Sequence, residues 1–161
     1  MHIAILGGGL MGTASAFFLL THPKASRSLK VTLIDRGAIG AAATVASFGN
    51  VRRQGRGFRQ MALAHHSLAL WIRLETLLGS DIEFRATGHV RAVFHQEALK
   101  DMQNFASAAL QHGLEIESLD QIEMRQRFPF LSKDVIAGSF SPQDGSGNPR
   151  LVAPAFARAA V

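Results

Sequence analysis

The stretch His2-Ile3-Ala4-Ile5-Leu6-Gly7-Gly8-Gly9-Leu10-Met11-Gly12 decides how the first part of this chain folds. It opens an uncharged run over residues 3–20, which is compatible with an export signal, a membrane anchor or a buried strand, turn and helix. The glycines choose among these. A signal peptide needs a basic leading segment and an unbroken apolar stretch, whereas here only His2 follows Met1 and three glycines interrupt the run. A spanning helix needs about 20 apolar residues, and each interior glycine weakens a helix by about 1 kcal/mol relative to alanine. The remaining reading is a short buried strand at 2–6, a tight turn at Gly7-Gly8-Gly9, and a helix at 10–21 stopped by Pro23.

Within that frame, Gly7-x-Gly9-x-x-Gly12 falls between strand and helix, where a dinucleotide fingerprint has a physical use. The first glycine permits the turn, the second lets backbone approach a pyrophosphate, and the third lets helix pack on strand. Leu10 and Met11 begin the helix, whose free N–H groups face the phosphates. A second strand, 30–35, ends at Asp35, 23 positions after Gly12 and close to the roughly 20 expected for an acid that binds a ribose hydroxyl. That carboxylate opposes a 2′-phosphate, although Arg36 beside it offsets part of the repulsion, so FAD or NAD is expected over NADP.

Composition limits the other functions. With 161 residues and 47% hydrophobic content the chain has material for a sizeable core. It contains no cysteine, which removes disulfides, thiolate metal sites and a cysteine nucleophile, and suits a reducing, cytoplasmic setting. The seven histidines show no metal-ligand spacing, and His65-His66 read as a surface pair on a helix. The net charge of +5 is concentrated in Arg27, Lys30, Arg36, Arg52, Arg53, Arg56 and Arg59, opposed between them only by Asp35. No nucleic-acid motif or aromatic interleaving accompanies these cations, so an anionic cofactor or carboxylate substrate accounts for them better than nucleic acid does. No transmembrane segment is expected.

Beyond Asp35, a small-residue stretch at 37–57 reads as a ligand loop. A long helix at 58–78, a strand pair at 83–85 and 89–94, a helix at 97–112, a short strand at 115–117, a helix at 119–128 and a strand at 135–140 complete an α+β lobe. The loop 141–149 leads into an apolar helix from Arg150, which meets Val161 without a cap and reads as part of a longer protein.

The segments Ala43-Thr44-Val45-Ala46-Ser47-Phe48-Gly49-Asn50-Val51-Arg52, Leu63-Ala64-His65-His66-Ser67-Leu68-Ala69-Leu70-Trp71-Ile72-Arg73-Leu74-Glu75, Thr87-Gly88-His89-Val90 and Asp144-Gly145-Ser146-Gly147-Asn148-Pro149 follow one another in order. In that order the sequence resembles the FAD-dependent oxidoreductases of the D-amino-acid oxidase superfamily, which includes glycine oxidase, sarcosine oxidase and D-amino-acid dehydrogenases. The resemblance implies an α/β Rossmann-like FAD-binding βαβ domain carrying an inserted α+β substrate lobe, incomplete at its C-terminal side. It divides the chain into FAD-binding residues 1–80, part of a substrate-binding lobe at 81–140, and a return to the FAD-binding domain at 141–161.

It also implies site residues. Asp35 replaces the family's usual glutamate; Thr44, with Ala43, takes the place of the residue that contacts the flavin diphosphate; Ser47 and Gly49 lie where the family often has Asn-Ala-Gly. Arg52 corresponds to a basic residue near the flavin ring and is the catalytic candidate, with Arg53, Arg56 and Arg59 as surface or phosphate neighbours. The implied activity is oxidation of the C–N bond of a small amino acid or N-methyl amine. A missing C-terminal portion or a partner chain would then complete the site, and weak FAD retention is expected without it. The other readings are a non-catalytic dinucleotide-binding remnant and an NAD-dependent dehydrogenase.

Overall fold

The computed structural model describes residues 1–161, which form two compact units. The first comprises 1–50, 71–84 and 147–161; the second comprises 51–70 and 85–146. No helix is long and apolar enough to cross a membrane.

The first unit begins with strand β1 (His2–Leu6), helix α1 (Leu10–Thr21) and strand β2 (Lys30–Ile34). β1 and β2 pair in parallel, from His2 opposite Lys30 to Leu6 opposite Ile34. A parallel pair needs a crossover, and α1 supplies it, so the chain forms the βαβ unit that its glycine spacing indicates. β1, expected as a buried strand, is covered on one side only: Ile3 and Ile5 turn inward while His2, Ala4 and Leu6 are exposed, and β2 alternates likewise, with Val31 and Leu33 inward and Thr32 and Ile34 exposed. β1 has one neighbour and one covered face, which is why alternate residues remain open.

Helix α1 packs through Phe17 against helix α5 (Pro149–Ala159), with the two phenylalanine rings of Phe17 and Phe156 edge to face at 5.5 Å. Leu74, Leu78, Ile82, Val152 and Ala155 close this core. Leu74 and Leu78 come from helix α2 (Met61–Leu78), whose later residues belong to this unit and whose earlier ones belong to the second. Asn148 caps α5 by accepting from Arg150 N at 2.9 Å, with Pro149 in the first turn, where its missing N–H costs nothing.

In the second unit, strands β4 (His89–Val93), β5 (Glu117–Asp120) and β6 (Ala137–Ser141) form an antiparallel sheet in the order β4-β6-β5. Helices α3 (Gln96–Ala109) and α4 (Gln121–Arg127) cover it, burying Val93 with Met102 and Ala137, and Leu119 with Met124 and Val135. Two-residue strands β3 (Asn50–Val51) and β7 (Gly145–Ser146) complete the inventory. The hairpin expected between 83–85 and 89–94 does not form. Glu83 has φ of 54°, Arg85 bridges Ser146 instead, and β4 takes β6 as its partner. The short strand expected at 115–117 lies at 117–120, where Asp120 ends it and begins α4.

Candidate functional site

The glycine turn and Asp35 come together in the first unit. Gly7 has φ of 106°, a conformation that a side chain disfavours, and its N–H donates to Ile34 O at 2.7 Å, joining the turn to the end of β2. A Cβ on Gly12 would lie 1.9 Å from Gly7 O, so only glycine lets the first turn of α1 approach the loop this closely. Asp35 Oδ2 accepts from Gly8 N at 2.6 Å and its Oδ1 from Gly37 N at 2.8 Å. Chiefly the Gly8 N–H, then that of Gly37, and more weakly the Arg36 charge hold the Asp35 carboxyl below its ordinary value. The exposed carboxylate retains lone pairs beyond these two bonds, as a ribose hydroxyl requires.

Thr44 reaches the same place from the small-residue loop. Its Oγ1 accepts from Leu10 N at 3.0 Å, capping α1 across 34 residues, while Gly40 N donates to Gly8 O at 2.9 Å. The first intrahelical bond runs from Thr13 N to Gly9 O, so the N–H groups of Met11 and Gly12 have no partner within the helix. No acidic residue occupies that first turn. Free N–H groups, a positive helix end and no competing carboxylate fit a diphosphate. Ala43 and Ser47 are exposed on the loop, where Ser47 Oγ accepts from Gly49 N at 3.3 Å, and Gly49 O accepts from Gly147 N at 3.0 Å. Arg36 is exposed at the end of β2.

Arg52 belongs to the second unit, at the edge of a buried polar network. The network centres on Asp144, which is 0% exposed. Its Oδ2 accepts from Arg53 N at 2.9 Å and Gln54 N at 3.0 Å, and its Oδ1 from Arg53 Nε at 3.0 Å. Arg53, 4% exposed, also donates from Nη1 to His65 Nδ1 and from Nη2 to Gln143 Oε1, each at 3.0 Å. His65 Nε2 in turn donates to His112 O at 2.9 Å, which leaves Nδ1 as the acceptor. Arg53 is therefore buried and not the surface cation expected, and His65 is half-buried with a partner on each ring nitrogen.

Gln54 extends the network to Arg52. Its carbonyl accepts from Arg52 Nη1, and its side-chain Nε2 donates to His89 O and His89 Nδ1, both at 3.0 Å. The backbone carbonyl can only accept, so it fixes the amide nitrogen on the His89 side. Gln54 Oε1 is buried without a partner, at a cost of about 1–3 kcal/mol. The opposite amide orientation would set two oxygens against each other at His89 O. Burial first, then the Arg52 charge, lowers the His89 proton affinity, while Asp144 opposes that shift.

These residues carried weak sequence signals. The buried pair joins two residues 91 apart, and Gln54 and His89 are 35 apart. Adjacent Arg52, Arg53 and Gln54 beside glycines, and an Asp-Gly turn far along the chain, become a pattern only once the fold joins them.

A glycine turn leading into a helix and an acid at the end of the second parallel strand, in a chain that also carries a separate antiparallel unit, define a dinucleotide-binding α/β class. The chain belongs to the DAO family of FAD-dependent oxidoreductases, whose family model matches residues 2–161. Mitochondrial dimethylglycine dehydrogenase of Rattus norvegicus is 24% identical over 157 residues, covering 97% of this chain and 18% of that protein. The formaldehyde-forming 4-methylaminobutanoate oxidase of Paenarthrobacter nicotinovorans is 25% identical over 158 residues, covering 97% of this chain and 19% of that protein. Among solved structures, glycine oxidase from Geobacillus kaustophilus superposes with a TM-score of 0.89 at 26% identity, over 98% of this chain and 43% of that one. The chain thus spans under a fifth of these curated relatives and less than half of that solved structure. The family's cofactor is FAD, which sets aside the nicotinamide reading.

Proposed function

We propose that this chain is the FAD-holding portion of an oxidoreductase that oxidises the C–N bond of a small amino acid or N-methyl amine. The observation that carries the cofactor half is the junction at α1, where Gly8 N donates to Asp35 and Leu10 N to Thr44 while the next helical N–H groups stay free. In this reading Gly7, Gly9 and Gly12 admit the diphosphate, Leu10 and Met11 present the helix end, and Asp35 takes a ribose hydroxyl with Arg36 beside it. Ala43, Thr44, Ser47 and Gly49 line the loop side. FAD, when bound, would supply the two-electron acceptor for the hydride equivalent that leaves the amine carbon.

Arg52 supplies a cation for the substrate carboxylate or for negative charge on the reduced cofactor. Asp144 pairs with Arg53, which leaves the Arg52 guanidinium, anchored only to the Gln54 carbonyl, available for such an anion. Support for the substrate class comes from the relatives' names, which speak of dimethylglycine, 4-methylaminobutanoate and glycine. The domain division at 1–80, 81–140 and 141–161 and a cytoplasmic setting belong to the same proposal.

The test is anaerobic addition of glycine, N-methylglycine, N,N-dimethylglycine and proline to the FAD-reconstituted protein in its longest natural form. Bleaching of the flavin absorption by at least one of them supports the reading. Tight FAD binding with no bleaching by any amine would support the non-catalytic alternative instead.

A further inference from the structure

His89 and Arg52 are held by one buried residue through two different groups. Gln54 is 1% exposed; its carbonyl accepts from Arg52, and its side-chain amide donates to His89 twice. The backbone of Gln54 is fixed independently, since its N–H donates to the buried Asp144 carboxylate at 3.0 Å. Both hydrogens of the Gln54 amide are spent on His89, one on its carbonyl and one on Nδ1, so Nδ1 must carry a lone pair. The ring proton then resides on Nε2. A proton on Nδ1 would point an N–H at an NH₂ group, so the imidazolium form conflicts with the same contact. Gln54 maintains this arrangement even though its own Oε1 stays unpartnered.

We propose that Gln54 is a positioning residue that holds His89 as a neutral Nε2–H donor, giving the Arg52 guanidinium an uncharged companion donor for a small monocarboxylate. One cation and one neutral donor balance a single negative charge, whereas two cations would repel each other when the ligand is absent. His89 is half-buried and Arg52 is not paired with any carboxylate, so neither is committed to another anion. The choice of carboxylate as ligand rests on the amino-acid reading above. The role of Gln54 does not.

The proposal is tested on the 161-residue chain by long-range ¹H–¹⁵N correlation spectra of ¹⁵N-histidine-labelled protein, with His89 assigned by substitution. In the wild type at neutral pH, Nε2 should be the protonated nitrogen. In Gln54→Glu the carboxylate can only accept, so the proton should move to Nδ1; Gln54→Met, which neither donates nor accepts there, should give a mixture of tautomers. Wild-type His89 protonated on Nδ1, or the wild-type tautomer persisting in Gln54→Glu, overturns the positioning role. Titration with propionate should shift the His89 Nε2 and Arg52 Nε resonances, whereas propionamide should not. Gln54→Glu should weaken propionate roughly tenfold or more, as expected for loss of one hydrogen bond to a charged group. Equal response to propionate and propionamide overturns the carboxylate assignment. FAD binding is measured on the protein in its longest natural form: failure to bind there, with the tautomer intact, counts against the cofactor reading and not against Gln54.

Discussion

Asp144 shows why one residue can matter more than its sequence context suggests. Its carboxylate holds two successive backbone N–H groups and the Arg53 guanidinium, all out of water. Asp144→Asn keeps the shape but leaves the Arg53 charge buried without compensation, for which a loss of about 3–5 kcal/mol is expected. Urea unfolding measures it, and a loss below about 1 kcal/mol would mean that solvent reaches the pair. His89 gives a second test. Its folded-state proton affinity is lowered from the ordinary value of 6.5 by burial first and Arg52 second, with Asp144 pulling the other way. The unfolded chain therefore takes up the proton first as the pH falls. The associated stability is intact above about pH 6.5 and is lost as the pH drops from there through the folded-state value. His89→Asn, which cannot titrate, should show a flatter urea midpoint between about pH 7 and pH 5 than the wild type; equal slopes would place the pH dependence elsewhere. At this scale little was legible in advance, because adjacent Arg52 and Arg53 have the same side chain and differ only in what the fold brings to them.

Elements whose partners are near in sequence could be read from it, and those with distant partners could not. β1, the glycine turn and α1 follow from a short apolar strand, three glycines and an uninterrupted helical stretch within residues 2–21. The expected hairpin around Thr87-Gly88 failed because β4 pairs with β6, whose residues lie more than 40 positions further on. Position 12 makes the local part testable. Gly12→Ala drives a Cβ to 1.9 Å from the Gly7 carbonyl, and the obstacle is backbone and cannot rotate away. The helix must shift, at a cost of about 1–3 kcal/mol typical of overpacking, and the shift moves the α1 N–H groups from where the diphosphate is proposed to lie. FAD affinity measured by flavin fluorescence should fall along with the melting temperature. A variant that melts lower yet binds FAD normally would separate the fold role of Gly12 from its proposed cofactor role. The capping box of α4 offers a control with no connection to the cofactor: Asp120 Oδ1 accepts from Glu123 N at 2.8 Å, and Glu123 Oε2 accepts from Asp120 N at 2.8 Å. Asp120→Ala should cost about 1 kcal/mol and leave FAD affinity unchanged.

Across the whole molecule, the distribution of apolar surface departs most from what the composition suggests. Parallel strands are ordinarily covered on both faces, yet the outer face of the β1–β2 pair places Leu6, 81% exposed, directly across from Ile34, and elsewhere in the same unit Phe48 is 95% exposed. Met11 and Phe18 add apolar surface on α1. Exposed apolar side chains of this kind promote association, and an open parallel pair also presents unpaired strand-edge groups to other copies. The 161-residue chain should therefore enhance the fluorescence of 1-anilinonaphthalene-8-sulfonate and sediment as a concentration-dependent mixture of species. Ile34→Thr keeps a β-branched residue in the strand while removing apolar area from the open face, so it should lower both signals without unfolding β2. If the wild type instead sediments as a single monomer and leaves the dye dark, this face is shielded in solution, and the exposed Leu6 and Ile34 are not what governs the behaviour of the chain.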